Sequence, residues 1–200
     1  MISVIIPVYH NEKALMHTLE AVKEIKQITE IVLVFDGYKP PSPFDDSMWN
    51  MYEGTKIISN YPDIPWACSR AKNIGAINSN REWLFFLDVD HRPVPEWFAR
   101  DVQRLSRASV NLCRREYKGD TAWPVQIAIV DRDLFFKVGG FDERFDGNYG
   151  YEDKHFNYKV GKQIHTALEI EFTGQGEARM PRSRFKNEAL YEKLIKEWSS

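Results

Sequence analysis

Trp83-Leu84-Phe85-Phe86-Leu87-Asp88-Val89-Asp90 sets an unbroken apolar run directly against two acids. Four residues from Leu84 to Leu87 show no polar alternation, which predicts a strand covered on both faces and therefore central in its sheet. Asp88 then stands at the C-terminal end of that strand. In an extended segment Val89 puts Asp88 and Asp90 on the same side. Carboxylates at the mouth of a buried strand resist desolvation unless a cation compensates them. A divalent ion is the simplest compensator, and oxygen ligands suit Mg2+ or Mn2+. An Asp-x-Asp alone is weak, because most are turns or solvated surface; the strand-end position raises its weight.

Upstream, residues 2–8 are a β-branched run and predict another buried strand. Asn11 offers a helix N-cap, Glu12 suits the first turn, and Leu15, Leu19, Val22 and Ile25 mark one helix face. Ile31 to Phe35 predicts a further strand ending at Asp36-Gly37. Strand, helix, strand in this order opens a parallel α/β sheet. Residues 38–54 hold three prolines and read as a loop, Lys56 to Ser59 as a short strand, and Pro62 and Pro65 fence a second loop. Ala67 to Ser79 predicts a helix with Ala71, Ile74 and Ile77 or Asn78 facing inward.

Downstream, Pro93 and Pro95 are expected to stop the central strand, and Pro95 to open a helix to about Ser106. Val110 to Cys113 and Val125 to Val130 predict strands on either side of a polar loop, Arg114 to Pro124, carrying Tyr117 and Trp123. Asp131 to Val138 reads as a helix closed by Gly139-Gly140, and Tyr151 to Val160 as another closed by Gly161. Ile164 to Ile170 is a late strand, and Asn187 to Trp198 an amphipathic helix.

The chain has 200 residues, 43% hydrophobic and 14% aromatic, which suits one globular domain rather than a disordered segment. Its net charge of −2 neither demands nor excludes a polyanionic partner. Cys68 and Cys113 are far apart and lack metal-ligand spacing, so a buried reduced pair in a reducing compartment is expected. The N-terminus has no basic leader region and Pro7 interrupts its apolar run, so no signal peptide is expected. No segment reaches the length of a membrane span. The expectation is a soluble, cytoplasmic protein.

Open α/β sheets bind ligands beyond the C-terminal ends of their strands. Three acidic features fall there or beside it: Asp36, the Asp88/Asp90 pair, and Glu152-Asp153. In this order and company the chain resembles the family 2 glycosyltransferases of the GT-A fold. Ser3 to Glu12 resembles their donor-binding first strand, Val34-Phe35-Asp36-Gly37 their second-strand Asp, and Leu87-Asp88-Val89-Asp90 their metal motif. Arg70-Ala71-Lys72-Asn73-Ile74-Gly75 resembles their basic, Asn-containing helix start. Gly139-Gly140-Phe141-Asp142-Glu143 and Tyr149-Gly150-Tyr151-Glu152-Asp153 resemble the acceptor-side block, which galactosyltransferase-type C-terminal segments share. The resemblance spans residues 2 to about 161.

It implies an α/β architecture: a single GT-A (Rossmann-like) domain, 1–178, with a mostly parallel central sheet flanked by helices. A basic tail or helix, 179–200, packs on it or extends from it. It implies transfer of a sugar from a nucleoside-diphosphate donor, most often UDP-linked, to an acceptor hydroxyl with inversion, dependent on Mn2+ or Mg2+. Asp90 is the expected metal ligand, with Asp88 on metal or ribose and Val89 between them on the donor. Asp36 is expected to accept a hydrogen bond from the nucleobase, although an Asp-Gly turn needs no ligand. Pro7, Val8 and Tyr9 are expected along the base pocket, Tyr9 equally as packing. Glu12 reads either as a nucleoside contact or as a favourable helix start. Arg70 or Lys72 reads as a phosphate or base contact, or as solvated; Asn73 reads as a donor contact or a local helix contact. Asp153 carries over as the base that takes the acceptor proton, with Glu152 holding the acceptor or acting as second base. An acidic helix start alone would also explain this pair. Trp123, Tyr149, Gly150 and Tyr151 are assigned to the acceptor, the aromatics for stacking on sugar faces.

Many relatives supply a further metal-side His late in the chain, but Phe172 to Glu177 contains none; His91, His155 and His165 are the substitutes to weigh. A non-catalytic nucleotide-sugar-binding module is the alternative from another class. A sugar-1-phosphate nucleotidyltransferase would want a Gly-rich basic loop where Pro7-Val8-Tyr9-His10-Asn11 stands. The acceptor is open among glycan, small molecule, protein and modified nucleic acid. Arg179, Arg182, Arg184 and Lys186 read first as a solvated tail, then as closing on the diphosphate or tracking nucleic-acid phosphates.

Overall fold

A computed structural model describes residues 1–40, 54–60, 64, 66–117, 120–172 and 183–198. The predicted loop at 38–54 falls mostly outside the described residues, as do Pro62, Pro65, 173–177, Arg179 and Arg182. The described strands form one sheet in the order β3-β2-β1-β4-β8-β6-β9-β5, with β7 paired to β6. These are β1 (Ile2–Val8), β2 (Ile28–Asp36), β3 (Thr55–Asn60), β4 (Trp83–Phe86), β5 (His91–Pro93), β6 (Val110–Tyr117), β7 (Asp120–Ala122), β8 (Ala128–Asp131) and β9 (Gln163–Phe172). The helices are α1 (Glu12–Val22), α2 (Cys68–Ile77), α3 (Pro95–Asp101), α4 (Arg132–Lys137), α5 (Glu152–Val160) and α6 (Phe185–Trp198).

From β3 to β4 every pairing is parallel. Past β4 the sheet is mixed: β8 runs against β4 and β6, β6 is parallel to β9, and β5 is antiparallel to β9. The two-residue period of each strand divides the core between two faces. Val4, Ile6 and Val8 of β1 join Leu33, Phe35 and Phe85 beneath Leu15 and Leu19 of α1 and Phe98 of α3. Ile5 joins Val32, Val34, Leu84 and Phe86 beneath α2, with Phe135 of α4 and Phe156 of α5. Phe35, Phe85 and Phe86 are closed to solvent, each contributing about 1.5–3 kcal/mol by leaving water. Gly75 lets α2 sit this close, since a Cβ there would stand 2.3 Å from Ile5 Cγ2.

Several local expectations change. Pro93 does not end strand structure: after a turn at Asp88, His91–Pro93 forms β5 against β9. Pro is tolerated there because β5 is an edge strand. The loop expected from Arg114 is partly a hairpin of β6 and β7, and α3 gives way to a 3-10 turn at Val102–Arg104. Ala71 faces inward as expected, with Ile74 packed beside it, but Ile77 is 64% exposed and Ser69, Lys72, Gly75 and Ala76 complete the buried side of α2.

The crossover through α1 covers one face of the sheet, and α2, which leads into β4, covers the other. The chain therefore reverses its winding at β1, and a crevice opens beyond the strand ends Val8, Asp36 and Asp88.

Candidate active site

A cavity of about 340 Å3 opens at that crevice. Pro7, Val8, Tyr9, Asp36, Asp88, Val89 and Asp90 line it together with Tyr149, Gly150, Tyr151, Glu152, Asp153 and Lys72.

Asp88 follows a strand with no exposed residue at its end, and burial pushes its carboxyl up to about 6 against the pull of Lys72. Lys72 is 1% exposed, and its Nζ stands 2.5 Å from Asp153 Oδ1 and 4.9 Å above the Phe141 ring. Burial alone would drive its proton off; Asp153, Asp88 and Glu152 reverse this and hold the ammonium well above its ordinary range. Burial, then the Asp153 charge, raises Glu152 to about 8. Burial likewise raises Asp146 to about 6, although it accepts from the backbone N–H of Ser69 and Arg70 at 3.0 and 3.1 Å. Those are two of the donors that a helix start leaves unmatched, so Asp146 caps α2 across 77 residues of chain.

The Asp88-Asp90 loop is held from α1. Thr18 Oγ1 donates to Val89 O at 2.8 Å and His91 O at 3.0 Å. Asp88, Asp90 and His91 bring ligand atoms within 4.8 Å of one another. Two carboxylates, both half-buried and one of them pushed toward neutrality, fit a divalent oxygen-loving cation. Asp36 is buried and receives Asn60 Nδ2 at 2.9 Å, so it is more than an Asp-Gly turn residue.

Other expected contacts are not brought to the cavity lining. Glu12 accepts from the Tyr38 hydroxyl at 2.7 Å, which fixes the strand-to-helix turn. Arg70 points to Glu143 at 3.8 Å, half exposed. Asn73 bonds both the N–H and C=O of Phe141 at 2.9 Å, holding the Gly-Gly turn to α2. Trp123 donates to Thr166 O at 3.1 Å and stacks on His165 at 4.6 Å, away from the lining. The Asn73 contacts are long-range, to Phe141 and Glu143, so they match neither a local helix contact nor a place in the lining; packing fits Trp123. His155 and His165 likewise lie outside the lining, whereas His91 adjoins the acids.

Trp66 and Asp146 line the cavity without having been expected there, and Arg184, read first as part of a solvated tail and second as closing on the diphosphate, lines it too. Trp66 packs on Tyr149 at 4.7 Å, and the Arg184 guanidinium sits 5.2 Å from the same ring. Trp66 and Tyr151 hold positive φ, 54° and 74°, a conformation costing non-glycine residues on the order of 1–3 kcal/mol and concentrated at functional sites. The only sequence hint for Trp66 was its place between a proline and a helix start.

The family model for glycosyl transferase family 2 matches residues 3–163. The chain belongs to this family. No curated protein sequence matches it significantly. Among solved structures, S. aureus TarS aligns with a TM-score of 0.70 at 15% identity, over 86% of this chain and 36% of that one. GalNAc-T7, solved with UDP, GalNAc and Mn2+, aligns at 0.73 and 18%, over 96% and 47%. A Pyrobaculum calidifontis mannosyltransferase, in complex with GDP-Man and Mn2+, aligns at 0.69 and 16%, over 88% and 58%. At these identities the likeness establishes the GT-A fold. The family 2 chain described here spans between about a third and three fifths of those proteins' lengths. No described helix is long and apolar enough to cross a membrane, and Cys68 and Cys113 are free thiols.

Proposed function

We propose that the chain transfers a sugar from a nucleoside-diphosphate donor, UDP-linked by resemblance, to an acceptor hydroxyl with inversion, in the cytoplasm. The observation that carries this reading is the meeting in one cavity of Asp36, the Asp88/Asp90 pair and Asp153, from three separated stretches of chain. Asp36, oriented by Asn60, accepts from the base, and Pro7, Val8 and Tyr9 wall it. Asp88 and Asp90 would hold Mn2+ or Mg2+, which when bound supplies Lewis-acid stabilisation of charge on the departing diphosphate. Asp153 takes the acceptor proton. Glu152, raised to about 8, stays protonated near neutrality and donates a hydrogen bond, which separates the roles of the two acids. Direct attack inverts the anomeric centre. Residues 179–200 are read as a packed extension of the 1–178 domain, supported by the docking of α6.

A second reading, a nucleotide-sugar-binding module without turnover, is favoured by the engagement of Asp153 by Lys72. A donor panel scored by thermal shift with Mn2+, on wild type and Asp90→Ala, tests the leading reading. A nucleotide sugar should stabilise the wild type and lose its effect in the variant. Equal responses, or none from any donor, sink the proposal; stabilisation without hydrolysis or transfer across broad acceptors leaves the module reading.

A further inference from the structure

The side chain beside the metal motif has a directional hydrogen-bond pattern. His91 Nδ1 lies 2.8 Å from Asp90 Oδ1, and its Nε2 lies 3.3 Å from Arg115 Nη1. A guanidinium has donors and no acceptor. His91 Nε2 must therefore accept from Arg115, which leaves the ring hydrogen on Nδ1, pointed at Asp90. A doubly protonated ring would turn N–H against N–H at the Arg115 contact.

The ring has little room to reverse. His91 is 3% exposed, its carbonyl is held by Thr18, and its backbone pairs with Phe172 of β9. The Phe172 ring packs against it at 5.2 Å. Arg115 comes from β6, whose register places it opposite Ile170 of β9, so the sheet sets this partner of the imidazole. Its buried Nε has no hydrogen-bond partner among the described residues.

We infer that Arg115 fixes the His91 tautomer, so that His91 donates to Asp90 and orients it without itself ligating the metal. This rests on the metal reading of Asp88 and Asp90. Arg115 and His91 are thus positioning residues for Asp90, related to it as a hydrogen-bonded support is to a metal ligand. Both ring nitrogens are already assigned, one donating to Asp90 and one accepting from Arg115. The closeness of His91 to both acids thus reflects support.

Three measurements test this. In metal-free protein, two-bond 15N–1H spectra of the ring should show the proton on Nδ1; a proton on Nε2 overturns the assignment whatever the metal does. With Mn2+ bound, pulsed EPR should show no directly coordinated imidazole 14N from His91. A strong 14N coupling that vanishes in His91→Ala overturns it. His91→Asn keeps an amide donor near the Nδ1 position and should bind Mn2+ within about threefold of wild type, whereas His91→Ala and Arg115→Met should bind about 10–100-fold more weakly. Arg115→Lys, which keeps a donor, should restore most of the affinity. Loss in His91→Asn equal to that in His91→Ala counts against the proposal. Absence of any Mn2+ binding by wild type instead overturns the metal reading, a failure distinguishable from the ring spectra.

Discussion

Lys72 Nζ and Asp153 Oδ1 meet at 2.5 Å, with the lysine 1% and the aspartate 12% exposed. This joins the start of one helix to the start of another across 81 residues. Removing one member of a buried pair leaves the other's charge uncompensated, at a cost of about 3–5 kcal/mol. Lys72→Met should lower stability by that order in chemical denaturation, because Asp88 and Glu152 lose the same cation. Asp153→Asn should lower transfer by about 10²–10⁴-fold while leaving donor-induced thermal shifts in place. Unchanged transfer in Asp153→Asn would remove it as the base.

Stability of the metal-free protein should fall as pH rises from about 4 to 8. Asp88 and Asp146 are raised to about 6 and Glu152 to about 8. These three carboxyls bind more protons folded than unfolded across this window and give stability a negative slope against pH, set against smaller opposing shifts at His155, lowered by burial, and at Glu30 and Asp142, held low against burial by their hydrogen-bond partners. For Asp88 the shift from 3.8 to about 6 corresponds to on the order of 3 kcal/mol. Asp88→Asn and Glu152→Gln should each flatten the Tm-versus-pH curve. A rise in Tm across this window would contradict the assignment.

Asn73→Ala should destabilise the fold by about 1–3 kcal/mol through two unmatched groups on Phe141. Nucleotide affinity, measured calorimetrically on the folded fraction, should stay near wild type. A selective loss of donor binding would restore the direct-contact reading of Asn73.

Asn187 is 1% exposed and donates to the carbonyls of Phe145, Asn148 and Gly150 at 2.8–3.0 Å. Asn187→Ala should cost about 1–3 kcal/mol. It should also speed amide exchange over 145–151, while the amides of β1 and β4 keep their protection. Uniform loss of protection would show instead that α6 supports the whole domain.

The strands β1, β2 and β4 were legible because full burial leaves apolar runs that nothing else in a soluble chain requires. Asp36, Asp88 and Asp90 were legible for a related reason, since an acid abutting such a run has to be explained. β5 was hidden by Pro93, whose meaning depends on whether the strand is an edge, and that is settled by β9 some 80 residues later. The Lys72–Asp153 contact was beyond local reading for the same reason: neither helix start carries a sign of the other. Asn73 and Glu12 sit beside the cavity in chain order but spend their polar atoms on Phe141 and Tyr38. Trp123 offered only its residue type, and His165 and Thr166 had already claimed it.

The Asn187 clamp also orders events during synthesis. Asp36, Asp88 and Asp90 leave the ribosome well ahead of it, whereas Gly150 waits for a side chain made 37 residues later. A nascent chain can therefore assemble the crevice at Asp36, Asp88 and Asp90 while the Gly150 wall is still unfastened. Binding competence and transfer competence would then be acquired at different chain lengths.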